Sequence, residues 1–326
     1  MKRNRSRNVE TRKKIADAIR KADRIAITSH VRPDADSIGS GLALYLILKQ
    51  LGKEAGFFNS DKAPFPLTEL PGFDAIQYGQ ISPQPFDIVM LIEGGTEERT
   101  GMSRLSDYYT VNIDHHASGC YSCNINWVAP EAAAVGEMIY DLAVELDIQW
   151  TRDIGFNLYA AISSDTGSFK YSNTTAKSLN IASRLVKKCR FTPVEVSDIL
   201  FYSNHMEKVR MIEKVLSTLE LQLNKRVAII YFKQEFLARF SLKEIETEDV
   251  ISIARSILGV DVTLFFKEIG SEFYRVSIRS RGSIDSQEVA KMFNGGGHSH
   301  AAGFFYRGDI EEAKRLILDI LKEKLK

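Results

Sequence analysis

The chain has 326 residues, 44% hydrophobic and 26% charged, with a formal net charge of +1. Two packed domains are within reach, and a global field that recruits nucleic acid is excluded. Its three cysteines make no disulfide framework; no signal peptide and no bilayer-spanning apolar run is legible, so the expectation is a soluble cytoplasmic protein without a membrane partner.

Residues 1–14 hold seven basic residues and one acidic one. They read as a solvated lead-in to a first helix carrying Ile15, Ala18, Ile19 and Ala22 at helical spacing. Residues 24–29 read as a buried strand ending at His30. A Gly/Ser turn is expected at 39–41, then a buried helix over 42–48 closed by Gly52. Strands at 86–92 and 108–113 end at Glu93 and Asp114. Helices are expected at 132–146 and 152–163, the second running into Asp165. Residues 193–223 read as a charged helical connector, and strands at 226–232, 262–266 and 274–279 open a second sheet.

The expected fold class is therefore α/β. A domain over 1–192, with a mainly parallel sheet flanked by helices, precedes the connector; a smaller α/β domain follows over 224–326. The Asp/His clusters fall at strand and helix ends, where open α/β sheets bind ligands.

His30, Asp34 and Asp36 lie within seven residues, a metal-ligand spacing. In a Pro-led, non-helical segment the two carboxylates can face different ions. Imidazole plus carboxylate suits Mn²⁺ or Mg²⁺, and the lack of a thiolate argues against structural Zn²⁺. Asp36 or Ser37 could instead cap the following helix. In Asp114-His115-His116, one histidine would bind metal while its neighbour faces substrate as an acid or donor. Asp114 would orient an imidazole. Asp165 closes the set. Gly295-Gly296-Gly297-His298 would expose backbone N–H groups to an oxyanion, with His298 and Arg279 adding charge, ahead of a helix start at Ala301-Ala302-Gly303. Cys120-x-x-Cys123 lacks a partner pair and is not read as a metal or redox site.

These motifs, in this order, resemble the DHH phosphoesterase superfamily with a C-terminal DHHA1 domain, and most of all its bacterial nanoRNase and pAp-phosphatase branch. The resemblance covers essentially the whole chain. It implies two ions, usually Mn²⁺, with His30 and Asp34 on one and Asp36, His115 and Asp165 on the other. His116 faces the scissile phosphate. The glycine loop, Arg279 and Ser280 grip the rest of the substrate in the cleft between domains. The family's second motif is a strand ending in Asp, which bridges both metals, then Arg six residues on and Gly. Here Arg99 and Gly101 hold that register, but the bridging position is Glu93. Its additional methylene moves the carboxylate by about an ångström or more, where two ions must lie about 3.5–4 Å apart.

The implied activity is metal-assisted hydrolysis by an activated water, with His116 stabilising charge or protonating the leaving oxygen and Asp114 fixing the histidine pair. The implied substrate is a short single-stranded oligoribonucleotide or pAp rather than a long duplex. The alternatives are pApA or cyclic di-AMP, or a nucleotide-binding protein whose Glu93 has cost it catalysis; polyphosphate is disfavoured by the C-terminal domain. A homodimer is compatible with the sequence.

Overall fold

The computed structural model describes residues 2–81, 85–116, 122–239 and 248–325, without the side chains of 2–6, 237–239, 248–249 and 298. Cys120 therefore lies outside the described residues. The chain divides into two compact units, Met1–Ser203 and Asn204–Lys326. No helix among the described residues is long and apolar enough to cross a membrane.

The first unit runs α1 (Lys2–Lys21), β1 (Arg24–Ser29), α2 (Ala35–Gln50), β2 (Glu54–Asn59), β3 (Ile76–Tyr78), β4 (Ile88–Ile92) and α3 (Glu97–Thr100). It continues with β5 (Thr110–Asp114), β6 (Ile125–Val128), α4 (Val135–Glu145), α5 (Arg152–Asp165), α6 (Ala176–Cys189) and α7 (Pro193–Tyr202). Its strands lie in the order β3-β2-β1-β4-β5-β6, all parallel.

The central strands are apolar on both faces, as a covered parallel sheet requires. Ile25, Ile27, Met90, Ile92, Val111 and Ile113 enter the main core with α2, α4 and α5. Ala26, Val89 and Leu91 face a smaller cluster with Phe58, Met102 and Leu105. The winding direction reverses at β1, so its border with β4 is the topological switch point where such sheets bind ligands. Ser29 pairs with Ile92, and Ile92 with Ile113. The next residues, His30, Glu93 and Asp114, consequently emerge side by side at the sheet's carboxyl edge.

The second unit runs α8 (Met206–Leu216), β7 (Glu220–Gln222), β8 (Val227–Phe232), α9 (Gln234–Arg239), α10 (Glu248–Arg255) and β9 (Val262–Gly270). Then come β10 (Phe273–Ser280), α11 (Ser286–Lys291), β11 (Gly296–His298), β12 (Ala301–Arg307) and α12 (Ile310–Lys324). The strand order is β11-β12-β10-β9-β8-β7, antiparallel except between β8 and β9.

Three local expectations change. The residues read as a turn, Gly39-Ser40-Gly41, lie inside α2, which begins at Ala35. A Cβ on Gly39 would sit 2.7 Å from the Asn157 carbonyl of α5, and one on Gly41 2.5 Å from the Phe57 ring. These glycines serve close packing, not a turn. The stretch read as a connector is two helices with separate cores: Val196 of α7 joins the first unit's core, while Met211 and Val215 of α8 join Ala228 and Ile230. Ala301-Ala302-Gly303 begins β12, a strand rather than a helix.

Candidate metal centre

Each candidate ligand is held by the element that carries it. Asp34 is the N-cap of α2: its Oδ1 accepts from the Ser37 N–H at 2.9 Å, within a reciprocal capping box. That leaves Oδ2, 3.6 Å from His30 Nε2. Capping, expected of Asp36 or Ser37, falls to Asp34 instead, with Ser37 as its partner in the box; one oxygen serves the cap while the other faces His30. Asp36 is helical, correcting the non-helical reading of its segment. It crosses to α4, where Oδ2 accepts from Val135 N–H at 2.6 Å and Oδ1 from Gly136 N–H at 3.0 Å. Ala134, the N-cap of α4, offers no side-chain cap, so Asp36 satisfies that helix start from a distance in sequence. Ser40 Oγ also donates to Asp36 Oδ1 at 2.9 Å.

The histidines are oriented from behind. His30 Nδ1 lies 2.8 Å from the Val31 carbonyl and His115 Nδ1 3.1 Å from the Ala132 carbonyl. A proton on each Nδ1 would leave each Nε2 able to coordinate a cation. Between them stands Glu93, 1% exposed. Its Oε1 is 3.3 Å from His115 Nε2 and its Oε2 3.3 Å from His30 Nε2. Asp165, the last residue of α5, reaches His115 Nε2 at 3.4 Å.

The donor atoms form three overlapping groups, each within 4.8 Å: His30, Asp34 and Glu93; Asp36, His115 and Asp165; and Glu93, His115 and His116. The set fits divalent cations. Glu93 Oε2 is buried and accepts no hydrogen bond, since its approach to His30 lacks hydrogen-bond geometry. A buried carboxylate oxygen of this kind calls for a cation.

The electrostatics agree. Burial pushes Asp36 well up, and the charges of Glu93 and Asp165 push it further. Burial raises Asp165 to about 7. Burial alone would lower His30 and His115, but the carboxylates around them outweigh it and raise both to about 10. Burial would raise Glu93, yet the imidazoles of His115 and His30 beside its two oxygens outweigh it and carry it below the usual carboxylate range. Carboxylates crowded in one buried place are stabilised by whatever positive charge comes among them.

His116 stands apart, with its side chain 31% exposed. Asp114 Oδ1 accepts from its backbone N–H at 2.8 Å and lies 2.9 Å from its Nδ1. Asp114 thus orients His116 alone, while a main-chain carbonyl orients His115. Arg99 Nη2 lies 3.4 Å from His116 Nδ1, and the Arg99 carbonyl accepts from Val31 N–H at 2.8 Å. The loops after β1 and β4 are thereby tied together.

The glycine motif of the second unit has another physical basis than expected. A Cβ on Gly295 would meet the Gly303 carbonyl at 2.3 Å, and one on Gly297 the Ala301 carbonyl at 2.5 Å, whereas Gly296 faces open space. Gly295 and Gly297 let β12 approach; Gly296 alone is spare. Ser280, expected to grip substrate, is 2% exposed. Its hydroxyl donates to the Ile284 carbonyl at 2.6 Å and accepts from Ser286 Oγ at 2.8 Å, which spends it on holding the segment between β10 and α11. Arg279 is part-buried on β10, opposite Ala301. The backbone of His298 belongs to β11. Cys123 is free and Cys189 buried and free.

Sequence reading missed Ser40, the α4 N-terminus and Asn112. Asn112 accepts from Gly95 N–H at 3.1 Å, just beyond Glu93. The one available signal was an amide two residues before Asp114, in a strand with apolar neighbours.

Fold and cluster together define a doubly wound α/β protein with a multi-carboxylate, multi-histidine candidate cation site at its topological switch point. The family model for the N-terminal domain of the DHH family matches residues 24–162, and that for the DHHA1 domain matches 224–326. The bifunctional oligoribonuclease and PAP phosphatase NrnA of Thermus thermophilus is 31% identical over 92% of this chain and 90% of its own. The protein of the same name from Bacillus subtilis is 29% identical over 91% and 94%. A crystal structure of an exopolyphosphatase-related protein from Bacteroides fragilis superposes with a TM-score of 0.84 at 25% identity, covering 97% of this chain and 96% of that one. The chain belongs to the DHH family and is a DHH-family phosphoesterase with a DHHA1 domain.

Proposed function

We propose that this protein hydrolyses phosphoester bonds of short oligoribonucleotides and of pAp, using two divalent cations, Mn²⁺ or Mg²⁺. His30 and Asp34 would hold one, Asp36, His115 and Asp165 the other, with Glu93 shared. Bound there, such ions supply Lewis-acid charge to phosphoryl oxygens and make a water nucleophilic at neutral pH.

The observation that carries this reading is the Glu93 carboxylate, 3.3 Å from the Nε2 of each histidine. The longer side chain spans both ligand groups, which favours an enzyme over an impaired nucleotide binder. The substrate class comes from the activities for which the Thermus and Bacillus relatives, which match over nine-tenths of the chain, are named.

The chain's own residues have distinct tasks. His116, held through Nδ1 by Asp114, presents Nε2 to a phosphoryl or leaving oxygen and delivers a proton from that atom. Asp114, 1% exposed, stabilises the imidazolium before transfer. Arg99, beside His116, adds positive charge as the phosphorane becomes more anionic. Gly296, His298 and Arg279 would hold the remainder of the nucleotide, with Gly295 and Gly297 shaping the loop that presents Gly296. Within the hairpin, Gly296 has the open surface a phosphate needs.

The test is a substrate panel with Mn²⁺: a labelled RNA 3-mer, pAp, pApA, cyclic di-AMP and polyphosphate. Turnover of the RNA 3-mer and pAp is expected. Turnover of polyphosphate alone, or of none, would refute the assignment.

A further inference from the structure

We propose that Asn112 is a positioning residue. Its amide oxygen holds the Gly94-Gly95 turn and thereby sets the backbone from which Glu93 reaches both His30 and His115. The inference rests on the metal-binding reading above.

Strand β5 alternates. Val111 and Ile113 enter the main core, while Asn112 and Asp114 share the other face. Each of these two polar residues touches a different part of the cluster. Asp114 holds His116. Asn112, 0% exposed, accepts from Gly95 N–H at 3.1 Å. Asn112 pairs in register with Leu91, and Glu93 N–H donates to the Ile113 carbonyl at 3.0 Å. The turn after β4 therefore folds back directly over Asn112.

That turn needs holding. Glu93 has φ 55° and Gly95 φ 59°, both left-handed, and a residue with a Cβ is strained there. Gly94 between them admits no side chain: a Cβ would lie 2.7 Å from Thr100 Cγ2 and 2.9 Å from Leu91 Cβ. The Gly95 bond anchors the turn two residues beyond Glu93. Stability alone does not explain an amide here. Asn112 Nδ2 is buried without a hydrogen-bond partner, a costly state that a β-branched apolar residue would avoid in a buried parallel strand.

The test is a double-mutant cycle on Mn²⁺ affinity, read from the EPR signal of free Mn²⁺ during titration, not from turnover. Asn112→Leu removes the acceptor and the unpartnered N–H groups at once. In the Glu93 background it should weaken Mn²⁺ binding about tenfold or more, the scale of outer-sphere partners of metal ligands. In the Glu93→Gln background, where the shared carboxylate is already gone, the same substitution should cost less than about twofold. Equal losses in both backgrounds, or none in the first, would overturn the positioning role. Absence of Mn²⁺ binding by the unsubstituted protein would instead overturn the metal reading, and this inference with it. Should Asn112→Leu fail to fold, Asn112→Thr, which shortens the acceptor, replaces it in the same cycle with the same outcomes.

Discussion

The two units carry equally conspicuous motifs, and the physics under them is opposite. In the first unit, charged groups are driven into the interior: Glu93, Asp36 and Asp114 are each 1% exposed. Such burial is costly unless another charge repays it, which is what makes the cluster a candidate cation site. In the second unit, Gly295 and Gly297 sit where a side chain would strike β12, and Ser280 is bonded within the segment that joins β10 to α11. There most of the motif is architecture, and one glycine is left over. The two motifs thus differ: the first unit's buries charge, and the second's admits a close approach of backbone.

The largest effect should follow from breaking the first unit's charge arrangement. Glu93→Asp withdraws the carboxylate by about 1.5 Å, one carbon–carbon bond, from a backbone already fitted to Glu. Steady-state turnover with Mn²⁺ should fall at least ~100-fold, on the scale of misplacing a reacting group by an ångström. A rise in activity would mean that Glu93 is a handicap, as the impaired-binder alternative holds.

His116→Ala should lower kcat by about 10²–10⁴, the range for a general acid, with KM changed much less. A parallel loss in binding would assign His116 to substrate affinity instead.

The second unit gives the counter-experiment. Gly295→Ala and Gly297→Ala should each cost stability by about 1–3 kcal/mol through overpacking, seen in thermal melts. Gly296→Ala should cost under ~0.5 kcal/mol and show its effect, if any, in KM. Equal destabilisation at all three positions would remove the distinction between architecture and spare backbone.

The smallest effect concerns Glu137, 1% exposed, 3.3 Å from Lys177 and without a hydrogen bond to either carboxylate oxygen. Burial raises its pKa, with Lys177 pulling the other way. A carboxyl raised in the folded state favours folding while protonated, and that advantage is lost as pH rises through the folded value. The unsubstituted protein should therefore lose melting temperature relative to Glu137→Gln by about 2–4 °C between pH 4.5 and pH 8. A constant difference across that range would show that Glu137 titrates normally.

Much of this was legible in the sequence because chemistry constrains it locally. His30, Asp34, Asp36, Asp114, His115, His116 and Asp165 follow apolar strands or occupy helix ends, and parallel pairing brings those ends to one edge. What was not legible depends on distant neighbours. Gly39 and Gly41 look like turn residues until α5 and Phe57 are known to press on α2. Asp36 looks like a local cap, but it satisfies a helix ninety-nine residues later. Strands β2, β3 and β6 are short or half-polar and acquire their identity from the neighbours they pair with, β1, β2 and β5 respectively. Asn112 reads as an ordinary polar residue until the turn after β4 lies across it.

The central claim is that one carboxylate, Glu93, serves two ligand groups. The direct measurement is the number of Mn²⁺ ions per chain, by elemental analysis after equilibrium dialysis, beside the EPR spectrum of the loaded protein. The account predicts about two ions whose spins are coupled, with the coupling lost in Glu93→Gln. A single ion, or two uncoupled ions in the unsubstituted protein, would contradict it.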